Sequence, residues 1–392
     1  MNKMIYYNLD EIDKRGAGIN LIYGERSGGK SYQVKHKKIF GNYLKDNKRY
    51  LCKYTNPKEI ITEDIKAGKR FMLVRRIVEE IKSQLIESYF NDVDISGLTN
   101  GKYNTVKLYR QEIYLAFYDV NTFKTVRGEK IGYVTALSIE QNYAGGSFLD
   151  VSDIIFEEFM SRQGNGTTYL YDEPSKLMNL FCTVDRKRGF VKMWLLGNTI
   201  TRVCPYLQDW DLQDIVMHQK QGTIEETWVT TGQFDDDGIE IKVKIAIEYC
   251  RETGGSSYVI GKHAKMLNQG EWQSDPQPRL PKSYKNYKVI YRMVFFYKGF
   301  KFLAEYLIDK ETSEVCWFIR PKYTDIKEKT LVFSDVIKPS KYWQRDIYNP
   351  TIRNDRLKKF LYWFRENQIF YSSNLCGTEF KNAIDFEIRK WK

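Results

Sequence analysis

The run Gly24-Glu25-Arg26-Ser27-Gly28-Gly29-Lys30-Ser31 constrains this chain more than any other stretch. It follows G-x-x-x-x-G-K-S, the Walker A pattern of a phosphate-binding loop. The apolar run Ile19 to Tyr23 precedes it and suits a buried strand. Tyr32, His36, Ile39/Phe40 and Tyr43 follow at helical spacing. Strand, glycine turn and helix are the context that gives this pattern chemical meaning. Gly24, Gly28 and Gly29 let backbone N–H groups curl around phosphate oxygens, and the helix N-terminus adds its positive dipole end. Lys30 is expected to reach the β- and γ-phosphates of ATP, and the Ser31 hydroxyl to hold Mg²⁺.

Binding a nucleotide is not hydrolysing it. Hydrolysis needs a carboxylate near the metal and a group that activates water. Ile154-Ile155-Phe156-Glu157-Glu158 offers both at the end of a buried run. Glu157 is expected to orient the hydrated metal, and Glu158 to orient or deprotonate the attacking water. Asn198 closes another strand, Val191 to Leu196 with Gly197-Asn198 at its end. Its amide either senses the γ-phosphate or is a plain strand-end asparagine. Arg186 and Arg188 lie in Asp185-Arg186-Lys187-Arg188. On composition alone this is a solvated basic turn; as a guanidinium supplied across a subunit boundary it stabilises phosphoryl transfer.

The 392 residues are enough for two or three domains with real cores. No apolar run approaches the ~18 residues of a membrane span, and the polar, aromatic stretch Met1 to Asp10 does not read as a secretory leader. Six scattered cysteines and three histidines argue against a zinc site and for reduced thiols in a cytoplasm. Charge is uneven. Residues 281–392 carry 23 Lys+Arg against 13 Asp+Glu, whereas 217–280 carry 7 against 10. The basic third suits a polyanion partner.

The pattern predicts an α/β domain over 1–216 with a largely parallel sheet. Its strands are Ile19 to Tyr23, Phe71 to Val74, three runs within 104–136, Ile154 to Phe156 (shortened by Asp153) and Val191 to Leu196. A helix is predicted over Pro174 to Val184. The acidic stretch 217–280 reads as a linker region, with turns at Asp235 to Gly238 and Gly254 to Ser257 and three prolines between Ser274 and Pro281. From 281 to 392 a small α+β domain is expected. Val289 to Tyr297 and Phe300 to Ile308 form a hairpin about Lys298-Gly299, Val315 to Ile319 follows, and Leu357, Phe360, Leu361 and Phe364 mark a helix.

At this level the chain resembles the ATPases of phi29-type bacteriophage DNA packaging motors. The resemblance rests on Tyr7-Asn8, Gly24 to Ser31 with Tyr32, Val74-Arg75-Arg76, Val151-Ser152 through Glu157-Glu158-Phe159, and Asn179 to Tyr206. It covers the first ~210 residues well and thins beyond 280. It implies a phosphate-loop ATPase of the additional-strand, catalytic-glutamate branch, working as a homo-oligomeric ring, usually a pentamer. The implied ring drives double-stranded DNA through a portal into a prohead in the host cytoplasm, and the resemblance leaves open a packaging RNA as a further partner. Lys30 and Ser31 fall on the loop positions, Glu157 on a metal-associated aspartate, Glu158 on the catalytic glutamate and Arg186 on the trans-acting finger. Arg26 matches a loop arginine. The glutamate at 157 is one methylene longer than that aspartate, and Gln141 to Ser147 lacks a lysine of the family, the nearest upstream being Lys130. The resemblance also implies a ribonuclease H-like C-terminal domain. A working nuclease would need converging carboxylates. Tyr287 to Tyr297 carries none and Glu305 stands isolated, so 281–392 reads as a non-catalytic, DNA- or portal-facing module. A packaging terminase with an active nuclease and a helicase remain the alternatives.

Overall fold

The structure, a computed structural model, describes residues 5–41, 70–143, 145–161, 169–232, 234, 237–254, 264–344 and 354–384, with the backbone alone of 44–45, 48–49, 233, 345 and 385–389. It divides into two compact units. The first gathers Met1–Thr199, His218–Ser257 and Asn268–Gly270; the second gathers Ile200–Met217, Tyr258–Leu267 and Glu271–Lys392.

The first unit holds β1 (Ile19–Gly24), the short pair β2 (Leu44–Lys45) and β3 (Lys48–Arg49), β4 (Arg70–Arg75), β5 (Thr105–Tyr109), β6 (Glu112–Asp119), β7 (Lys124–Ala136), β8 (Val151–Glu157), β9 (Lys192–Asn198), β10 (Thr223–Phe234) and β11 (Glu240–Tyr249). Nine of these form one sheet in the order β10-β11-β1-β9-β8-β4-β7-β6-β5. The six strands from β11 to β7 pair in parallel, and β10, β6 and β5 add antiparallel margins. β1 lies between two parallel neighbours and all six of its residues are buried, as a strand covered on both faces requires. β9 is inserted between β1, which leads into the glycine-rich loop, and β8, which ends at Glu157.

Several expectations change here. Residues 217–280 are not simply a linker: 223–249 form a hairpin, β10–β11, whose second strand pairs with β1 from Ile19↔Ile245 to Tyr23↔Tyr249. Glu240 to Ile245 alternates polar and apolar residues as a strand does, but the acidic composition of 217–280 gives the segment the look of a linker. The boundary expected at 216 also shifts: Ile200–Met217 belongs to the second unit, whose core buries Val203, and the first unit resumes at His218. Asp153 does not shorten β8. Its carboxylate accepts from the Trp194 indole at 2.8 Å and from the Ser152 hydroxyl at 2.7 Å, so a buried acid is satisfied within the sheet. The helix after the loop runs from Lys30 to Val34 and widens into a π-turn over Lys35–Ile39, with Phe40 N–H donating to the Lys35 carbonyl. Tyr43, Asp235, Asp236 and residues 255–257 lie outside the described residues.

The second unit is α+β. β12 (Tyr287–Tyr297), β13 (Phe300–Asp309) and β14 (Val315–Pro321) form an antiparallel meander, joined by β15 (Val332–Ser334), β16 (Trp343–Arg345) and β17 (Ile369–Tyr371). The sheet order is β16-β15-β12-β13-β14-β17. Lys298 and Gly299 turn the first hairpin with φ of 54° and 77°, the left-handed pair of a tight two-residue turn. Asn354 caps helix Asp355–Arg365, its side-chain oxygen accepting from Arg356 N at 3.0 Å and Leu357 N at 3.3 Å. Leu357 and Phe360 then pack with Phe295, Trp317 and Phe380 in this unit's aromatic core.

Candidate nucleotide-binding site

The candidate phosphate loop leaves β1 at Gly24, where a Cβ would meet the Cys250 side chain at 2.9 Å. Gly29, at φ 96°, is the residue before the helix Lys30–Val34. That conformation suits glycine and turns the chain into the helix. The N-terminal segment braces the loop from outside: Tyr7 N donates to the Gly28 carbonyl at 3.0 Å. On the other side Thr253 N donates to Glu25 Oε1 at 3.0 Å.

A cleft of about 740 Å³ opens over this loop. It is lined by Arg26, Gly28, Gly29, Lys30, Ser31, Glu157, Glu158 and Asn198 among others. Most of the residues expected to act on ATP are thus gathered in one place. Lys30 donates to the Glu25 carbonyl and lies 3.4 Å from the Asn198 side-chain oxygen. Burial pushes its pKa down, and Glu157 and Glu25 act against that shift. A buried ammonium held by a carbonyl and an amide favours an anion in the cleft. Arg26 lines the cleft and is exposed.

Ser31 Oγ donates to Glu157 Oε2 at 3.0 Å, which brings two hard oxygen donors together at the end of the loop. Such a pair, completed by phosphate oxygens and water, suits Mg²⁺. The other oxygen, Oε1, accepts from the Tyr89 hydroxyl at 2.7 Å. Burial raises the Tyr89 pKa well above its usual value, with Glu157 adding to the shift, so the phenol stays protonated.

Consecutive residues of a strand point to opposite faces, yet Glu157 and Glu158 both line the cleft. The strand ends at Glu157, and Glu158 takes φ 58°, a left-handed conformation costly for a side-chain-bearing residue. Arg76 holds that turn. Its Nη2 donates to the Glu158 carbonyl at 3.1 Å and the Phe159 carbonyl at 3.2 Å, while Nε bonds Glu173 at 2.9 and 3.1 Å. Glu173 is fully buried at the start of helix Glu173–Asp185. Neither the Arg76–Glu173 pair nor the Tyr89–Glu157 bond had a local signal in the sequence, because the partners are 97 and 68 positions apart.

Arg186 does not line the cleft. It follows the same helix at φ 48°, is exposed, and donates from Nη2 to the Gly146 carbonyl at 2.6 Å. Arg188 is the more committed neighbour, bonding the carbonyls of Asp185, Leu149, Phe148 and Val184. Lys130 pairs with Glu112 at 2.8 Å.

In the second unit Glu305 on β13 is fully buried and bound by Arg292 at 2.7 Å, Arg320 at 3.1 Å and the Tyr284 hydroxyl at 3.0 Å. Burial raises its pKa and the two arginines more than reverse that, leaving it below the usual carboxylate value. Among the described residues no group of three or more His, Cys, Asp or Glu is arranged to hold a metal ion. No described helix is long and apolar enough to cross a membrane.

Residues 52–221 match the family of the podovirus DNA encapsidation protein (Gp16). The chain is 26% identical over 307 residues to a DNA packaging protein of Bacillus phage phi29, covering 76% of this chain and 75% of that one. It is 28% identical over 211 residues to a DNA packaging protein of Bacillus phage PZA, covering 53% of this chain and 50% of the other. Among solved structures, a chain of the bacteriophage phi29 viral genome packaging motor assembly aligns over 99% of both chains, with 19% identity and a TM-score of 0.54. That likeness speaks for the fold.

Proposed function

We infer that this chain, a relative of the phi29-type DNA packaging proteins, is an ATP-driven motor that moves double-stranded viral DNA through a portal into a prohead. The observation that carries the reading is the cleft itself. A phosphate loop, a hydroxyl–carboxylate pair and a second glutamate converge on it, and nucleotide binding alone has no use for that second glutamate.

Within this reading each residue has one task. Lys30 and the backbone N–H groups of Gly28 and Gly29 hold the phosphates of ATP. Ser31 and Glu157 hold Mg²⁺, which when bound neutralises charge on the phosphate oxygens. Glu158 orients the attacking water and accepts its proton. Asn198, beside Lys30, reports the γ-phosphate, and Arg26 is a further phosphate contact. Arg186, exposed and tied to one carbonyl, serves the site of a neighbouring subunit in a ring, pentameric by resemblance. The strand inserted between β1 and β8 supports assignment to the additional-strand, catalytic-glutamate branch of phosphate-loop ATPases.

The C-terminal unit, with its excess of basic residues, is the DNA- or portal-facing module, and its fold is assigned to the ribonuclease H-like class by resemblance. Phosphate contacts position a duplex without reading sequence, which suits a motor that must move any DNA. An active nuclease is disfavoured because Glu305 is committed to two arginines.

The test is ATP hydrolysis by the full chain with and without long duplex DNA. Hydrolysis that rises with DNA and disappears in Lys30→Ala is expected. A chain that binds no ATP, or hydrolyses it equally well after Lys30→Ala, contradicts the reading.

A further inference from the structure

Glu157 differs from a shorter aspartate by one more rotatable bond, so its carboxylate has more positions to visit. The structure restrains it from both ends. Ser31 Oγ holds Oε2 at 3.0 Å and the Tyr89 hydroxyl holds Oε1 at 2.7 Å. Tyr89 is itself fixed. Its ring has the Lys35 ammonium 4.6 Å from its centroid and the Arg75 guanidinium at 5.4 Å, and it meets Phe90 edge-on at 5.1 Å. Lys35 also donates to the Tyr89 carbonyl at 2.7 Å and pairs with Asp92. The donor therefore sits in a packed turn just after helix Ser83–Ser88, while the acceptor ends a strand of the sheet.

We propose that Tyr89 is a positioning residue for the metal site: its hydroxyl locks the long Glu157 side chain so that one carboxylate oxygen stays at Ser31 to receive Mg²⁺. This rests on the nucleotide-site reading above. Tyr89 touches neither nucleotide nor metal; it acts through Glu157. The two cations on its ring polarise the phenol toward donation, which strengthens a hydrogen bond to a carboxylate. Outer partners that orient a metal ligand typically change metal affinity by about 10–100-fold when removed.

The experiment follows binding of a fluorescent ATP analogue to the full chain while Mg²⁺ is titrated, with a parallel set in EDTA. Wild type, Tyr89→Phe, Glu157→Asp and the double variant are compared. Tyr89→Phe removes one oxygen and keeps the ring beside Lys35 and Arg75. It is expected to raise the half-saturating Mg²⁺ concentration about tenfold, leaving analogue binding in EDTA and the melting temperature close to wild type. Aspartate at 157 is too short to span both Ser31 and Tyr89. Adding Tyr89→Phe to Glu157→Asp is therefore expected to shift the midpoint much less than it does alone. An unchanged midpoint in Tyr89→Phe overturns the proposal. Equal weakening with Mg²⁺ and in EDTA also overturns it, because that marks a structural role. Full additivity of the two substitutions does so as well. Failure of wild type to bind the analogue under any condition would instead strike the nucleotide-site reading.

Discussion

Glu157 in the first unit and Glu305 in the second are both glutamates on strands of a sheet, and their surroundings separate them. Glu157 has two neutral hydroxyl partners, Ser31 and Tyr89, and lines an open cleft. Glu305 is fully buried, with Arg292 and Arg320 already neutralising it. A carboxylate held by two hydroxyl donors at an open cleft is accessible to an arriving cation. A carboxylate clamped by guanidinium groups has nothing left to offer a metal. The same residue type thus marks a candidate site in one unit and a structural pair in the other, and the neighbours decide.

Arginines divide in the same way, and the largest predicted effect tests this. Arg186 is exposed and donates to the Gly146 carbonyl. If it completes a neighbour's site, Arg186→Ala should bind ATP almost normally and lose roughly 10³–10⁵ in hydrolysis rate. Mixing it with Glu158→Gln should restore part of the phosphate release, because an Arg186→Ala subunit keeps its own Glu158 and borrows Arg186 from its neighbour. A flat, inactive profile despite confirmed co-assembly argues for a cis or structural role.

The Arg76–Glu173 pair places the clamped arrangement inside the first unit. Removing one partner leaves an uncompensated buried charge, so Glu173→Ala should cost about 3–5 kcal/mol in chemical denaturation. Because Arg76 also holds the Glu158 and Phe159 carbonyls, the surviving folded protein should hydrolyse ATP slowly. Full activity at wild-type stability would remove that link.

Glu248 extends the neutral-partner case to stability. Its side chain accepts from the Tyr7 hydroxyl at 2.7 Å, and burial raises its pKa to about 7. A raised carboxyl favours the folded state while protonated. That contribution is whole below about pH 4.5 and is lost as pH rises through about 7. Glu248→Gln should flatten the fall in melting temperature between pH 5 and 8, an effect of order 3 kcal/mol at most. An unchanged slope would mean that Glu248 ionises as freely folded as unfolded. Glu305 has the opposite sign. Its depressed pKa gives stability present above about 4.5 and lost as pH falls through the folded value. Glu305→Gln should therefore lower stability near neutrality, modestly because Arg292 and Arg320 are half-exposed, and flatten acid unfolding by the same amount.

What the sequence revealed follows the same division between local and distant causes. The phosphate loop, β1 and the acid pair at the end of β8 are written in contiguous residues, and hairpin β12–β13 in its two turn residues. The hairpin β10–β11 was only partly readable. Ile241, Val243, Ile245 and Ile247 recur at strand spacing, but the acidic composition and exposed residues such as Trp228, Phe234 and Ile241 give the segment the look of a linker. Asp153 misled because a charge inside an apolar run usually ends a strand, and the indole that satisfies it lies 41 positions away. The donors behind Glu157 and Glu158, Tyr89 and Arg76, become partners only once the sheet has assembled.

The contrast between the two units reduces to one parallel measurement. ATP binding and steady-state phosphate release are followed in wild type, Lys30→Ala, Glu158→Gln and Glu305→Gln, all as full chains. The account predicts that Lys30→Ala loses binding. Glu158→Gln should keep binding and lose about 10²–10⁴ in turnover, because an amide does not accept the proton of the attacking water. Glu305→Gln should behave as wild type in both. Wild-type turnover by Glu158→Gln, or loss of turnover with intact folding in Glu305→Gln, would contradict it.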